Sequence, residues 1–526
     1  MIKNNTITVV LTRLQYACVV FLVATMAIGC NENNVDLAEN VISSDSNLVI
    51  TYDSTYNAKY NLYVVSNDTT AYNINDYNSP LNYSEKRVRN SWNEYASKML
   101  AEYSDAEQEN KLISPMSATM LYSLMANFVD EKMQRNVFKE HLDVDQIETE
   151  SINSFCRKYL NQKAIEKKKS SNEGIEYNSD LWMDQSSAVY ESFISKSKFY
   201  DFGVKGIEMR KGNAVDAIND YISTQMGNDK SSSINKAEIE LAKPLVTSSM
   251  IFKGEWKDRF NVDTSETNMF ANADGSKTVC KMIYKVRGKG WSRFENFDMV
   301  EIPYKDTNYS MYVLLPHEDS NMSKSLIELN KKSLVNCMDV VSDSLRSFHG
   351  EYFSQRDTTT SYGTYTVVDT LLSDTVFSIR IPKFKIRSTT ALNPTNGRGT
   401  ASAKLLYQTN LPKVSPNGFK LSNVFQSCYL EVNEKGTTAT STDSIKEVPV
   451  ISPDINKTFA GATPEGGRII IVGPVEPVVG PTAPKGRKIH ETITIPFHAI
   501  RSFAVFIREK GIGTIPFACS VKTLKE

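Results

Sequence analysis

The side chains that most often bind metals or act as nucleophiles are scattered along this chain of 526 residues. Its five histidines are His141, His317, His349, His490 and His498. No two of them have the spacing of a metal-ligand pair. Seven cysteines are present, and no two of them form a CxxC pair. We therefore expect no metal, no cofactor and no thiol redox centre.

Three short patterns are compatible with catalysis by an activated serine. Ser195–Lys198 fits SxxK, Ser233–Asn235 fits SxN, and Lys435–Thr437 resembles the third element of the penicillin-recognising serine hydrolases. Such patterns arise easily in a chain rich in Ser, Lys and Asn. This hydrolase is the enzymatic alternative, and labelling with a fluorescent penicillin would test it. Otherwise we expect a protein that is not an enzyme.

The elements that would position these residues are helices first and strands later. A helical stripe begins near Val88, and a second helix follows Ser114–Pro115. Later apolar runs predict strands, with a further helical pattern at residues 326–340. The strand predictions cover residues 244–252, 299–302, 309–315 and 376–381. This order predicts an α+β fold.

Two segments stand apart from this pattern. Residues 352–374 are rich in Thr, Ser and Tyr and predict a loop or an edge hairpin. Residues 440–495 are rich in Pro, Gly, Thr and Val. A connection of that length inside a compact domain is usually functional or disordered.

The first residues resemble an export signal. Basic residues precede an apolar run at residues 17–28, which is too short to span a bilayer. Ala27–Cys30 resembles a bacterial lipobox, so we predict a signal peptide at 1–29 and lipidation of Cys30. We expect an exported protein, anchored by lipid in the bacterial cell envelope. Two or more acyl chains would hold it stably.

The segment that follows, residues 30–85, is predicted to be a tether. It contains two apolar runs, at residues 48–51 and 60–65, and either is compatible with a short strand. The globular domain is predicted to span 86–526. We expect five buried thiols within it. The formal net charge of −1 gives no support for nucleic-acid binding.

A series of short motifs from about residue 88 to the C-terminus resembles the serpins, a family of protease inhibitors. The motifs are Ile113–Ser117, Leu245–Trp256, Met299–Tyr304, Ser310–Pro316, Ile381–Ile386, Leu430–Thr437, Phe503–Arg508 and Gly513–Phe517. Ser248 stands where the family usually has Asn. The resemblance implies helices packed on a large, mostly antiparallel central sheet, smaller sheets, and an exposed reactive-centre loop.

The resemblance also implies where the central sheet opens. It places Ser114, Ser117 and Gln426 beneath the strands that must part, and Trp256 near the top of the same sheet. Gln426 stands where many relatives have His, and its amide can both donate and accept hydrogen bonds. We expect a polar network that survives opening of the sheet.

The reactive loop is predicted at about 434–495, with an insertion at about 455–490. Its hinge residues are Glu434, Gly436, Thr437, Thr438, Ala439, Thr440, Ser441 and Thr442. Gly436 would supply a bend without a side-chain penalty. On the family's register the odd-numbered residues from Thr437 to Ser441 point inward, and all are small. Asp443 continues that register and would cost several kcal/mol to bury.

Counting forward from Glu434 by the interval usual in the family places the scissile bond at Val450–Ile451. A small apolar residue before the cut suits an elastase-like serine, or alternatively cysteine, endopeptidase. Arg468 is the alternative site, for a trypsin-like enzyme. The loop is longer than usual by roughly forty residues. We expect a monomeric inhibitor that traps its target covalently; the alternative is a non-inhibitory serpin that serves as a surface binding or scaffold protein.

Overall fold

The computed structural model describes the body of the chain with short gaps. The described ranges are 41–42, 48–53, 60–65, 77–104, 109–135, 149–169, 174–210, 213–226, 234, 243–263, 268–287, 290–305, 308–343, 350–360, 363–392, 410–421, 423–438, 468–472 and 487–524. The fold is α+β, as the order of elements predicts.

The helices in these ranges lie mostly in the first half of the chain. They are α1 Tyr83–Ser104, α2 Pro115–Ala126, α3 Thr149–Lys169, α4 Glu191–Phe199, α5 Ala214–Gln225, α6 Met322–Lys332 and α7 Leu334–Asp343.

The strands form several sheets. They are β1 Val41–Ile42, β2 Leu48–Asp53, β3 Tyr60–Val65, β4 Lys111–Ile113, β5 Gly174–Asp184, β6 Ala188–Tyr190, β7 Phe202–Ile207, β8 Leu245–Glu255, β9 Asn261–Asp263, β10 Met269–Ala271, β11 Lys277–Val279, β12 Met282–Arg287, β13 Trp291–Arg293, β14 Phe297–Pro303, β15 Tyr309–Pro316, β16 Gly350–Thr360, β17 Gly363–Pro382, β18 Phe384–Ala391, β19 Asn423–Val432, β20 Gly436–Thr438, β21 Arg468–Val472, β22 Lys488–His498, β23 Phe503–Glu509 and β24 Phe517–Val521.

The main sheet has the order β18-β19-β8-β5-β7, and the short β20 pairs with one end of both β19 and β8. A second sheet has the order β21-β22-β17-β12-β9, with β16 also on β17. A third runs β13-β14-β15-β23-β24-β4. The two apolar runs of the predicted tether form β2 and β3, and a fourth sheet, β1-β2-β3-β6, joins them to β6.

Alternate residues of a strand point to opposite sides of a sheet. In the main sheet, the side chains on both sides are covered by other parts of the protein. On one side β8 gives Val246, Met250 and Phe252 to the large core, which includes α2, all of whose residues are buried. On the other side Leu245 and Ile251 join a separate cluster with residues of α5. The sheet that would open is therefore held between helices on both faces.

The helical pattern at residues 326–340 is interrupted in the structure. Ser333, between α6 and α7, has a φ of 71°, which ends the first helix. The Glu94 carboxylate accepts hydrogen bonds from the Ser333 hydroxyl and from the Leu334 backbone N–H, the latter at 3.2 Å. A distant carboxylate on α1 thus caps α7, and the local pattern carries no sign of it.

Candidate functional site

The candidate site is the seam between β19 and β8 in the main sheet. Residues 423–429 of β19 pair in parallel with residues 245–251 of β8. Beyond this point the two strands separate, and β20 lies between their ends. Thr437 is opposite Val432 on one side and Gly254 on the other. The seam is therefore closed along most of its length and already holds part of a third strand at its open end.

Gly436 is required at this end by a close approach of two backbones. A Cβ atom on Gly436 would lie 2.1 Å from the Gly254 carbonyl oxygen and 2.7 Å from the Glu255 Cα. Both neighbours are backbone atoms of β8, so neither can move aside cheaply. The φ of Gly436 is not in the left-handed region, and the absence of a side chain, more than a bend, is what the position needs.

Thr437 is the first residue of the hinge whose side chain enters the core. It is fully buried, and its hydroxyl lies 2.7 Å from the Tyr304 hydroxyl in a hydrogen bond. The Tyr304 ring stacks on Trp256 with the ring centroids 4.5 Å apart. Burial raises the pKa of Tyr304, so this hydroxyl keeps its proton near neutral pH. A small polar side chain fits this site, whereas a long charged one does not.

The turn that leads into β20 is held by side chains on both flanks. Asn433 Oδ1 accepts hydrogen bonds from the N–H groups of Lys435 (2.9 Å) and Gly436 (3.2 Å). Trp256 Nε1 donates to the Asn433 carbonyl at 2.8 Å. Lys383 Nζ lies 2.6 Å from Glu434 Oε2. Burial opposes ionisation of Glu434, but the bond from Lys383 holds the pKa of that carboxyl below its usual value. The hinge is thus tied to β8 and to the loop before β18.

Beneath the seam, the structure brings Ser114, Ser117 and Gln426 together. Gln426 Oε1 accepts from the Ser114 N–H, and Gln426 Nε2 donates to the Ser114 carbonyl, both at 2.7 Å. Nε2 also donates to the Ser117 hydroxyl. The Ser114 hydroxyl contacts Met250 Sδ on β8 at 3.0 Å and accepts from the Ser117 N–H as the N-cap of α2. This network links β19 to α2, while β8 contributes only a thioether.

The remaining predicted loop residues lie outside the described ranges, with one exception. Ala439, Thr440, Ser441, Thr442, Val450 and Ile451 are not described, and neither is Cys30. Arg468 is described and begins β21, opposite Ile493 of β22. Its peptide bond therefore belongs to a sheet and not to an open segment.

The residues of the enzymatic alternative do not converge. Ser195 and Lys198 lie on α4, which follows β6 at the end of the main sheet away from β20. Lys435–Thr437 lies at the opposite end, and Ser233 and Asn235 are not described. No described contact joins the first pattern to the third, so the geometry gives this hydrolase no support.

A family model described as "Serpin (serine protease inhibitor)" matches residues 90–348 and 355–523. The chain belongs to the serpin family. The two matched segments together contain the seam, the hinge and the buried network. Family membership supports protease inhibition as the general activity of the protein.

Known serpins resemble the chain at low identity. An "Uncharacterized serpin-like protein" of Methanosarcina mazei is 23% identical over 50% of this chain and 56% of its own length. Antithrombin-III of Homo sapiens is 21% identical over 78% of this chain and 76% of its own. The chain thus spans little more than half of the first relative, and specific activities are carried over only as proposals.

Solved structures agree on the fold. Tengpin, a thermophilic serpin in the native state, has a TM-score of 0.57 at 16% identity and covers 88% of this chain and 97% of its own. AtSerpin1 of Arabidopsis, in a native stressed conformation, has a TM-score of 0.58 at 16% identity, covering 84% of this chain and 98% of its own.

Two findings concern residues outside the site. Four of the five cysteines predicted to be buried are buried, but Cys280 is only partly covered, and all five are free thiols. Among the helices that the structure describes, none is long and apolar enough to cross a membrane.

Sequence reasoning missed Tyr304, Asn433 and Lys383. Asn433 had a usable signal, since an Asn side chain in a turn often accepts a hydrogen bond from the backbone two residues further on, here from the N–H of Lys435. Tyr304 had none, because its partner Thr437 is 133 residues away.

Proposed function

We propose that this serpin traps a serine endopeptidase by cleavage of the loop after β20, followed by insertion of the loop between β19 and β8. One observation carries the proposal: β20 is already seated at the open end of a seam that is otherwise paired directly. An entering strand needs only to continue from Thr438 along the same path. We propose that the mechanism of the family operates in this chain.

The energetics favour insertion. The seam is a single ladder of seven residue pairs, and an inserted strand would replace it with two ladders. At roughly 1 kcal/mol for each ladder bond the net gain is on the order of 10 kcal/mol. Burying the Asp443 carboxylate would cost several kcal/mol. This cost reduces the net free-energy gain from insertion but does not make insertion unfavourable.

The bait residue is proposed to be Val450, cut before Ile451 by an elastase-like enzyme. A protease must fit an extended substrate into its cleft, and Arg468 is held in a strand opposite Ile493. This pairing disfavours the trypsin-like alternative at Arg468. Cysteine endopeptidases attack the same carbonyl and belong in the test as a second class.

The decisive experiment compares two loop variants with the wild type in an elastase assay. The wild type should form an SDS-stable adduct, with cleavage after Val450 found by mass spectrometry. Thr437→Arg should be cleaved at the same bond without forming the adduct, because its guanidinium cannot occupy a fully buried site beside Tyr304.

The matched control is Thr438→Arg, one residue further along the loop. Successive strand residues point to opposite faces, so an arginine here should not enter the site beside Tyr304, and the adduct should still form. Cleavage of the wild type only beyond Gly461, with no adduct for any protease, would falsify the proposal.

The second candidate function is a non-inhibitory serpin that acts as a surface binding or scaffold protein. Asp443 and the length of the loop favour it, since both oppose insertion. Thermal unfolding before and after loop cleavage separates the two functions. An inhibitor should gain a large increase in its unfolding temperature on cleavage, and a scaffold should not.

We also propose that the protein is a monomer anchored through lipid on Cys30. The Ala27–Cys30 motif and the export-like residues before it support the anchor. Metabolic labelling with a radioactive fatty acid should mark the wild type and leave Cys30→Ala unlabelled. Light scattering of the protein released from membranes would give its mass.

A further inference from the structure

Two segments that are far apart in the sequence form one four-stranded extension of the second sheet. Its order is β21-β22-β17-β16, and we call it the extension. β16 and β17 are an antiparallel hairpin, in which Gly350 pairs with Ser373 and Thr360 with Gly363. β22 runs parallel to β17 on its other edge, and β21 covers β22. The Thr-rich segment and the insertion in the reactive loop are therefore partners.

The start of β22 lies at the far end of the extension, away from the body. β12 stops pairing with β17 at Phe377, whereas β22 begins to pair with it at Thr370. Seven residues of strand correspond to about 23 Å. β21 then runs antiparallel to β22, so that Arg468 is opposite Ile493, which is itself opposite Thr375 near the body.

This path shortens the loop that lies between fixed strands. If β22 were the only distal strand, the connection from Thr438 would comprise residues 439–487. With β21 in place, it comprises residues 439–467. Residues 468–487, which fall within the predicted insertion at about 455–490, then no longer count toward the connection.

Asp369 of β17 joins the two segments. Its carboxylate accepts a hydrogen bond from Arg356 Nε on β16 at 2.6 Å and from the backbone N–H of Arg487, just before β22, at 2.7 Å. Neighbouring residues cover Asp369, which is only 5% exposed. The bond from Arg356, with that from Arg487, lowers the pKa of Asp369, so the carboxylate is ionised at neutral pH.

We infer that Asp369 is a positioning residue, which holds the distal end of the reactive loop on the extension and thereby keeps the uncleaved loop out of the main sheet. The effect of Asp369 on inhibition depends on the proposed function. Its positioning of the loop does not depend on that function.

Chain length supplies the physical reason. If uncleaved residues 439–450 filled the seam, their far end would lie about 40 Å from the hinge. With β21 paired, residues 451–467 would have to return to the body, and 17 residues reach at most about 56 Å. A return over about 40 Å would stretch this segment to roughly 70% of its reach, which costs conformational entropy. Without the extension, residues 451–487 would return, and the restraint would vanish.

The test is limited proteolysis with trypsin, monitored by mass spectrometry for cleavage after Arg468. Cleavage after Lys457, in the same loop but outside the described strands, is the internal reference. Asp369→Asn should raise cleavage after Arg468 relative to Lys457 by roughly tenfold, which corresponds to about 1.4 kcal/mol for one weakened charge-assisted bond. Arg356→Gln removes one of the two bonds and should give a smaller increase.

The matched control is Asp357→Asn in the same hairpin. Asp357 accepts only the exposed Thr366 hydroxyl among the described contacts, at 2.8 Å, and does not touch β22. It should behave as the wild type. Equal cleavage after Arg468 in Asp369→Asn and the wild type, or rapid cleavage there in the wild type, overturns the inference.

The inhibitory consequence is measured separately. Wild type, Asp369→Asn and Asp357→Asn are incubated without protease, and the fraction still able to form the elastase adduct is followed with time. Asp369→Asn should lose this ability several-fold faster while remaining uncleaved on a gel. Equal rates would overturn the link to loop insertion. If the wild type forms no adduct at all, the proposed function fails, and the trypsin result alone decides the positioning role.

Discussion

At the scale of single residues, the network under the seam depends on Gln426. Its amide satisfies both the N–H and the carbonyl of Ser114, which are buried at the start of α2. An isosteric apolar side chain would leave the Ser114 N–H without this partner, whereas the Ser114 carbonyl would keep its bonds from the Ala118 N–H and the Ser117 hydroxyl. The stability of the closed sheet is therefore expected to be sensitive to this one amide, although it contributes no apolar contact energy.

We predict that Gln426→Leu lowers the free energy of unfolding by about 1–3 kcal/mol, because the buried Ser114 N–H would lose its partner and such a group costs about 1–3 kcal/mol. Denaturant unfolding of the uncleaved protein measures this. The control is Gln355→Leu on the exposed side of β16, expected to change stability by less than about 0.5 kcal/mol. Similar losses in the two variants would contradict the role given to the network.

The sequence allowed some of these residue roles to be anticipated, but not the geometry behind them. That Ser114, Ser117 and Gln426 would be close together followed from motifs and a family resemblance. The sequence predicted a bend as the reason for Gly436, whereas in the structure a Cβ atom there would lie 2.1 Å from the Gly254 carbonyl oxygen. A contact between backbones 182 positions apart has no local signature, so only folding reveals it.

At the scale of elements, α1 is fixed by its first turn. Asn82 Oδ1 accepts from the Glu85 N–H at 2.9 Å, and Glu85 Oε2 accepts from the Asn82 N–H at 2.7 Å, which is a capping box. Lys158 of α3 lies 2.8 Å from the same carboxylate, and both side chains are buried. One carboxylate thus caps α1 and joins it to α3.

We predict that Glu85→Gln lowers the free energy of unfolding at pH 7 by about 3 kcal/mol, because a buried cation loses its partner while the cap survives. Burial opposes ionisation of Glu85, but Lys158, Ser154 and Asn82 lower its pKa below 4.5. Its contribution is therefore complete above pH 4.5 and is lost as the pH falls through the folded-state pKa.

The check is chemical denaturation across pH 3–7. The difference between wild type and Glu85→Gln should shrink at the acid end. Glu131→Gln is the control, since the Glu131–Arg135 pair is exposed and should contribute little at any pH. A difference that does not change with pH would show that the ion pair is not its source.

Element types were predictable wherever a local period existed, as in the helix after Ser114–Pro115 and the strand at residues 309–315. The strands within residues 440–495 were not. β22 pairs along the edge of β17 that lies opposite β12 and β16, and β21 then pairs with β22. Pairing between insertions about a hundred residues apart depends on the partner strand as much as on the sequence of either.

At the scale of the whole molecule, the N-terminal strands and the hinge lie at opposite ends of the main sheet. β5 runs antiparallel to β8, so Gly174 is opposite Lys253 near the hinge and Trp182 is opposite Leu245 at the far end. β6 follows β5 at that far end, and β3 pairs with it. The eleven residues of β8 separate the two ends by about 33 Å.

If Cys30 carries the lipid anchor, this arrangement directs the hinge away from the bilayer. We predict that a fluorophore at Ser186, in the exposed turn before β6, lies nearer to the membrane than one at Asp258, an exposed position beside the hinge. Energy transfer to a dye in the bilayer, measured for Ser186→Cys and Asp258→Cys proteins on vesicles, should be stronger for the first.

Both labelled proteins should also carry Cys280→Ser, since Cys280 is the partly exposed thiol of the described body. Delipidated protein, which has no anchor, provides the control and should give no transfer at either position. Equal or stronger transfer from position 258 would contradict the orientation. If Cys30 carries the anchor, the docked strands attach it at the end of the main sheet opposite the hinge, and we expect the reactive loop to face proteases in solution.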